Sequence, residues 1–208
     1  MIVLEEINTY RFAGLLLAAG SSKRMGFPKQ LLPINGEYLI SHILKIMQSS
    51  MLEHIFVVLG AHEEIIRTIL KNDNTTLVSN PTWKSGKGSS LRVGLSEIEN
   101  YFYDAVVICV VDQVNLTTEI IDSLIHKFND TKKDVIATRV NGVQCNPVLF
   151  SKHMFPAFQN LTGDDGGQKL IHTSRSIDFV DWENPELLLD LDTYADYQSL
   201  SSSRNPLR

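Results

Sequence analysis

Short apolar runs alternate with amphipathic segments from residue 12 to residue 138 of this 208-residue chain. Each run has five to seven residues, which is typical of strands buried on both faces. We predict strands over 12–18, 55–59, 75–79, 105–111 and 134–138, and helices over 39–51, 63–70, 91–98 and 117–128. This alternation predicts an α/β fold with a mostly parallel sheet and right-handed crossovers.

The length allows one large domain or at most two small ones. Neither a repeat nor a linker interrupts the sequence. Beyond residue 140 the pattern becomes shorter and less regular, and we interpret this part as extra strands and loops of the same domain. We therefore expect a single domain over 1–208 with its core at about 12–200, an N-terminal extension at 1–11 and a frayed polar tail at 201–208.

Composition excludes several functional classes. Nineteen Lys and Arg residues against 24 Asp and Glu residues give a net charge of −5, which argues against a nucleic-acid partner. No apolar run approaches the roughly 20 residues that span a bilayer, and the acidic N-terminus does not resemble a signal peptide. The two cysteines form no disulfide framework: Cys109 is expected to be a buried small hydrophobe and Cys145 a free thiol in a polar loop. We expect a cytoplasmic protein without a membrane partner.

Ligands of open parallel sheets bind beyond the carboxyl ends of the strands, so the loops after residues 18, 79 and 111 are of interest. The first loop, 18–30, contains small residues that allow close backbone approach. Four cations and no acid occur between residues 6 and 37. The spacing of a Walker loop or a dinucleotide fingerprint is absent, because Met25 and Ser22 stand where glycines are needed. From these residues alone, an anion site and a solvated basic turn remain equally open.

The second and third loops also carry polar residues. Segment 80–94 is rich in Gly and Ser, and it has three cations and no acid. From these residues alone, a surface loop that caps a helix is favoured over a binding loop. Asp112 directly follows the strongest predicted strand. The next helix is expected near Thr118, too far away for Asp112 to cap it. Near the C-terminus, Asp190 and Asp192 are expected on one strand face, and Asp196 caps or solvates the last helix.

The first loop carries a family resemblance. Its pattern Leu17-Ala18-Ala19-Gly20-x-Ser22-x-Arg24-Met25-Gly26-x-x-Lys29-x-Leu31-Leu32-Pro33 resembles the signature loop of nucleotidyltransferases with a MobA-like fold. It is most similar to the molybdenum cofactor (molybdopterin) cytidylyltransferases. The guanylyl-transferring branch has Gly where Ala19 stands and usually has Asp before the Lys. The resemblance implies one three-layer α/β/α domain with a Rossmann-like sheet of the nucleotide-diphospho-sugar transferase type.

Later segments match the same family, with departures. Asn80-x-x-Trp83-x-x-Gly86-x-x-x-Ser90-Leu91-x-x-Gly94 is intact, whereas Val114 replaces Pro after Asp112-Gln113, Cys145 replaces Gly, and Gln168 replaces a basic residue. The Pro28-Lys29-Gln30 triplet also resembles methylerythritol-phosphate cytidylyltransferases, but the motif that marks that branch after the fourth strand is absent.

The resemblance assigns roles by position. Arg24, Lys29 and Asp112 would be catalytic, Asp112 and Asp192 would bind Mg²⁺, and Asp190 is a possible partner. The nucleotide would contact Leu17, Ala18, Ala19, Gly20, Ser22, Arg24, Met25, Lys29, Ser90 and Asp112. The acceptor would contact Gln144, Asn146 and Asp164.

The implied reaction is transfer of CMP from CTP to a phosphorylated acceptor, molybdopterin first, with release of pyrophosphate. Three alternatives stay open: another phosphorylated acceptor such as a sugar or alcohol phosphate, GTP as the donor, and a cofactor carrier or maturation factor for a molybdenum hydroxylase. A hydroxylase client is a further partner that the resemblance suggests.

Overall fold

The computed structural model describes residues 10–70 and 74–204, and for residues 201–204 it describes the backbone only. A seven-stranded sheet lies at its centre. Its strands are β1 Phe12–Leu17, β4 His54–Leu59, β5 Thr75–Ser79, β6 Ala105–Val110, β7 Val135–Val140, β8 Val143–Ser151 and β9 Ile177–Asp181. Two short strands, β2 Pro33–Ile34 and β3 Glu37–Tyr38, form a separate hairpin.

The sheet order is β5-β4-β1-β6-β8-β7-β9. Strand β8 runs antiparallel to both of its neighbours, and the other described pairs are parallel. The predicted α/β fold with a mostly parallel sheet is therefore confirmed. Because β8 runs in the opposite direction, its first residues lie at the edge where the parallel strands end.

Helices cover both faces of the sheet. They are α1 Leu39–Gln48, α2 Glu63–Ile69, α3 Lys87–Ile98, α4 Thr118–Thr131, α5 Phe155–Phe158, α6 Gly167–Thr173 and α7 Tyr194–Arg204. Apolar residues of α1, α2, α4 and α7 pack in one core, and those of α3, α5 and α6 pack in the other. Adjacent residues such as Leu15 and Leu16 enter opposite cores, as the two-residue period of a strand requires. The three-layer α/β/α arrangement follows.

The sequence predicts most element positions but misplaces some boundaries. The helix expected over 91–98 begins four residues earlier, so the second loop ends at Gly86. Cys145 lies in β8 and not in a loop. Asp190 and Asp192 share no regular strand, since Asp190 forms only an isolated bridge with Gln113.

The chain ends also differ from expectation. The tail expected to fray from residue 201 continues α7 to Arg204. The rest of the polar tail and residues 1–9 of the N-terminal extension lie outside the described residues. The search of the described residues found no helix long and apolar enough to cross a membrane.

Candidate active site

Two adjoining cavities open at the edge where the parallel strands end. The larger one, of about 700 Å³, lies between the first loop, residues 18–28, and the second loop, residues 80–86. The smaller one, of about 390 Å³, lies beside the first residues of β8 and the N-terminus of α6. Six residues border both cavities: Leu17, Lys87, Val110, Asn146, Asp164 and Asp190. A ligand in one cavity would therefore adjoin a ligand in the other.

The structure brings most of the predicted residues together. The larger cavity is lined by Leu17, Ala19, Gly20, Ser22, Arg24, Lys29, Ser90, Asp112 and Asp192. The three predicted acceptor residues, Gln144, Asn146 and Asp164, line the smaller cavity. The residues predicted for a nucleotide and those predicted for an acceptor thus lie at two adjoining cavities.

Two predicted nucleotide-binding residues lie behind the cavity wall. Met25 is 7% exposed and packs in the hydrophobic core, because its apolar side chain gains more from burial than from the polar cavity. Ala18 is 1% exposed, and its carbonyl accepts a hydrogen bond from Gln30. Neither side chain lines the larger cavity, which corrects the expectation of direct contact there.

A network of opposite charges crosses the floor of the larger cavity. Lys29 Nζ lies 2.8 Å from Asp112 Oδ2 and 3.3 Å from Asp192 Oδ1. Arg24 approaches the other oxygen of Asp192 at 3.0 Å. Asp112 comes from the end of β6, whereas Asp192 comes from the segment before α7. The backbone N–H of Leu191 donates to the Asp112 carbonyl and joins these two segments.

Asp190 adds a third carboxyl group beside this pair. Burial away from water raises the pKa of Asp190 to about 6, and the neighbouring charges of Asp112 and Asp192 raise it further. Since three carboxyl groups share this edge of the sheet, the site favours a compensating positive charge.

The donor set fits a hard divalent cation. Carboxylate oxygens of Asp112 and Asp192 already converge on one ammonium group, and Mg²⁺ is usually bound by one or two carboxylates together with substrate phosphates. In the part of the chain that the structure describes, no group of three or more His, Cys, Asp or Glu side chains is arranged to hold a metal ion. Two carboxylates plus phosphate oxygens are therefore the coordination that these residues allow.

Not every cation counted in the basic loops lies at the site. Lys84 and Lys87 border the larger cavity with Lys29 and Arg24. Arg92 instead donates to the Leu161 carbonyl. Arg11 pairs with Glu53.

Two buried amides were not predicted as functional. Asn80 is fully buried beneath the second loop, and its Nδ2 donates to the hydroxyls of Ser89 and Ser90 at 3.0 Å. Gln30 is fully buried beneath the first loop, and its Nε2 donates to the carbonyls of Ala18 and Gly20 at 2.7 and 2.8 Å. The sequence singled out Gln30 only as a member of the Pro28-Lys29-Gln30 triplet, without a role of its own.

A segment after β8 closes the second loop. The Gly163 carbonyl accepts from the N–H of Gly88 at 3.0 Å, and a Cβ added at Gly86 would lie 2.2 Å from that same carbonyl oxygen. Gly86 also has a φ of +100°, which favours glycine. Asp164, next to Gly163, is thereby held at the boundary of the two cavities.

The family model of the MobA-like NTP transferase domain matches residues 14–178. The chain belongs to this family. The predicted family membership is thereby confirmed, and the nucleotidyltransferase fold with it.

Curated relatives carry different names. "Purine catabolism protein PucB" of Bacillus subtilis is 28% identical over 169 residues, 78% of this chain and 81% of that protein. "Nicotine blue oxidoreductase" of Paenarthrobacter nicotinovorans is 24% identical, over 86% of this chain and 91% of that protein. A "probable molybdenum cofactor guanylyltransferase" of Bacillus anthracis is 30% identical, over 69% of this chain and 68% of that protein.

A solved structure resembles the whole domain. Rv0371c of Mycobacterium tuberculosis in complex with manganese superimposes with a TM-score of 0.78 at 26% identity, covering 93% of this chain and 99% of that one. A divalent metal therefore accompanies this fold in a structure similar to the present one.

Proposed function

We propose that this protein is a metal-dependent cytidylyltransferase that transfers CMP from CTP to the phosphate of a small acceptor, with molybdopterin as the first candidate. The observation that carries the proposal is Lys29 Nζ bridging Asp112 and Asp192 on the floor of the larger cavity. Cations for a triphosphate and carboxylates for its metal thus lie side by side, next to a second cavity for the acceptor.

The basic side chains bind the triphosphate in the larger cavity, whose volume of about 700 Å³ is within the usual range of small-molecule sites. Lys29 and Arg24 neutralise the negative charge that develops as pyrophosphate leaves. Lys84 approaches the triphosphate from the second loop, and Lys87 approaches it from the first residue of α3. Arg24 is free to move toward it, since its side chain is 72% exposed.

The carboxylates of Asp112 and Asp192 hold Mg²⁺, which when bound supplies a Lewis acid to the α-phosphate. By holding that ion in a fixed place, Asp112 and Asp192 would help to align the triphosphate for in-line attack. An acceptor phosphate oxygen forms a bond to the α-phosphorus, and the bond from that phosphorus to pyrophosphate breaks. A phosphate monoester, whose second pKa is about 6, is largely dianionic at neutral pH, so no side chain needs to remove a proton.

The wall of the larger cavity at Ala19 favours cytosine over guanine as the base. Ala19 borders the larger cavity and is 5% exposed, and its methyl group occupies the position that is Gly in guanylyl-transferring relatives by motif. Ser90 borders the same cavity with its hydroxyl fixed by Asn80. A smaller pyrimidine base suits this narrowed wall.

Gln144, Asn146 and Asp164 bind the acceptor in the smaller cavity. Its lining combines amides and carboxyls with apolar side chains such as Ile108, Val148 and Phe150. The apolar side chains in this lining suit a ring system that carries a phosphate better than a sugar phosphate, whose hydroxyl groups would face them.

The test is pyrophosphate release with each of the four ribonucleoside triphosphates and Mg²⁺, with and without molybdopterin. We expect release with CTP only when molybdopterin is present, and less than a tenth of that activity with GTP. A parallel panel of sugar and alcohol phosphates tests the acceptor. The Asp112→Asn variant keeps the shape of the side chain but removes its charge, so it should lose the activity.

Other results of the pyrophosphate-release test would favour a different donor, a different acceptor or a carrier function. Preference for GTP would overturn the cytidylyl assignment, and turnover with a sugar phosphate alone would overturn the acceptor. Capture of a molybdenum hydroxylase without any pyrophosphate release would instead support a carrier or maturation factor.

A further inference from the structure

The side-chain amide of Gln30 lies directly beneath the first loop. Gln30 is 0% exposed and belongs to the short helical turn Lys29–Leu31. Its Nε2 donates to two carbonyls of the loop, that of Ala18 at 2.7 Å and that of Gly20 at 2.8 Å. The orientation of the amide is fixed by these partners, because a carbonyl oxygen accepts hydrogen bonds only, and Nε2 is the donor end of the group.

The two carbonyls determine where neighbouring N–H groups point. Within a trans peptide, the C=O of one residue and the N–H of the next lie in one plane and point in opposite directions. When the carbonyls of Ala18 and Gly20 face Gln30, the N–H groups of Ala19 and Ser21 face away from it. Ala19 and Ser21 both border the larger cavity.

The N–H groups of Ala19 and Ser21 donate to no backbone carbonyl of the described residues. Among the same residues, no backbone carbonyl accepts from the N–H of Gly20 between them. Successive N–H groups of this kind form a concavity that binds anions. The loop is also closed by the Ser22 hydroxyl, which accepts from the N–H of Lys29 at 3.0 Å.

We propose that Gln30 is a positioning residue for triphosphate binding: its amide holds the carbonyls of Ala18 and Gly20 inward and so presents the N–H groups of Ala19 and Ser21 to the phosphates. The proposal rests on the proposed function, which places a nucleoside triphosphate in the larger cavity.

A role in packing alone does not explain this amide. The neighbouring Leu31 and Leu32 are buried apolar residues of the core. An apolar side chain of the same length would fill the volume of Gln30 without burying an unpartnered oxygen, whereas Gln30 Oε1 is buried and has no hydrogen-bond partner among the described residues. What the amide adds over such a side chain is its pair of bonds to the loop carbonyls.

The first test compares Gln30→Met with a matched control. Methionine has nearly the same length but cannot donate, and Gln48→Met removes a distant amide whose Nε2 donates to Thr75. Calorimetric titration with MgCTP and with inorganic tripolyphosphate measures affinity and stoichiometry. For Gln30→Met we expect both ligands to bind about tenfold more weakly, as for loss of one charge-assisted hydrogen bond, with one site per chain retained. Gln48→Met should bind like the wild type.

A structural defect would give a different result. Partial unfolding of Gln30→Met lowers the number of sites per chain and leaves the affinity of the folded fraction unchanged, and that result would contradict the proposal. Weaker binding of CTP with unchanged binding of tripolyphosphate would also contradict it, because the proposed effect acts on the phosphates. Gln30→Glu places an acceptor against the two carbonyls. It should lower the affinity for both ligands at least as much as Gln30→Met does.

A measurement on the wild type keeps the test independent of how the variants fold. In a ¹H–¹⁵N correlation spectrum titrated with tripolyphosphate, the amide signals of Ala19 and Ser21 should shift strongly. If saturation leaves both signals in place, the proposal is overturned. If the wild type binds neither CTP nor tripolyphosphate, the proposed function fails first.

Discussion

The ammonium group of Lys29 lies 2.8 Å from Asp112 Oδ2, so a protein cation occupies the position between the carboxylates that the proposed metal needs. Asp192 contacts the same ammonium from the other side at 3.3 Å. Because Lys29 and a metal ion compete for these oxygens, metal binding is expected to be weak until a triphosphate draws the ammonium away. Lys29 and its two acids thereby couple the binding of metal and nucleotide.

Replacing Lys29 with Met should separate these two events. We expect turnover with CTP to fall at least ~100-fold, as for removal of one transition-state donor. Binding of Mn²⁺ without nucleotide should become tighter, because Asp112 and Asp192 lose their internal counter-ion. The electron paramagnetic resonance signal of free Mn²⁺ measures the second effect.

The exposed Lys133, two residues beyond the end of α4, offers a charge-matched control. Lys133→Met should change neither turnover nor Mn²⁺ affinity. Normal turnover of Lys29→Met would show that Lys29 is not part of the catalytic site.

A single methyl group added at Gly20 should reveal how closely the nucleotide approaches the first loop. A Cβ built at Gly20 meets nothing within 4 Å, and the residue borders the larger cavity. We expect Gly20→Ala to keep the melting temperature of the wild type within about 2 °C, since a surface change without strain alters stability little. Its affinity for CTP should fall about tenfold, because the methyl group lies in the space of the ligand. Equal affinity by calorimetry would place the nucleotide away from this loop.

The strand pattern made the edge of the sheet predictable, and with it the position of Asp112. Asp192 could be placed there only through the family motif, because 80 residues separate it from Asp112 and no regular strand brings it back. The count of charged residues in each loop was a poorer guide to which side chains line the cavity. Arg11 and Arg92 were counted with the basic loops, yet they contact Glu53 and the Leu161 carbonyl, since sequence does not reveal the direction of a long side chain. The burial of Gln30 could not be predicted for a similar reason, because the sequence does not distinguish a buried amide side chain from one that faces water in a loop.

Asn80 should contribute strongly to stability, because both the nitrogen and the oxygen of its side-chain amide form hydrogen bonds. Its Nδ2 donates to Ser89 and Ser90, and its Oδ1 accepts from the N–H of Thr82. Asn80→Ala leaves buried polar groups without partners, so we expect the free energy of unfolding to fall by about 1–3 kcal/mol. Ser85→Ala, at an exposed position of the same loop, should cost less than ~0.5 kcal/mol. Urea unfolding monitored by circular dichroism compares the two variants. Equal losses of unfolding free energy would show that the Asn80 amide contributes no more to stability than the Ser85 hydroxyl.

The two cysteines should differ from an ordinary thiol in their reaction with iodoacetamide. Burial raises the pKa of Cys145 to about 11, and the charge of Asp190 acts in the same direction. Burial also raises the pKa of the fully buried Cys109. Because the thiolate is the reactive form, a raised pKa keeps both groups protonated and slow to react at neutral pH. The rate for Cys145 should still rise steeply between pH 9 and pH 10, where the rate for free cysteine approaches its plateau.

Mass spectrometry after alkylation at pH 7, 8, 9 and 10 measures this profile, with free cysteine as the reference. Since Cys145 lines the smaller cavity, a bound acceptor should slow its modification further, while Cys109 should react only when urea unfolds the chain. A rate for Cys145 that reaches half of its plateau near pH 8.5, as free cysteine does, would show that its thiol is not held protonated by the cavity. Protection by CTP alone, without an acceptor, would place the nucleotide and not the acceptor against this strand.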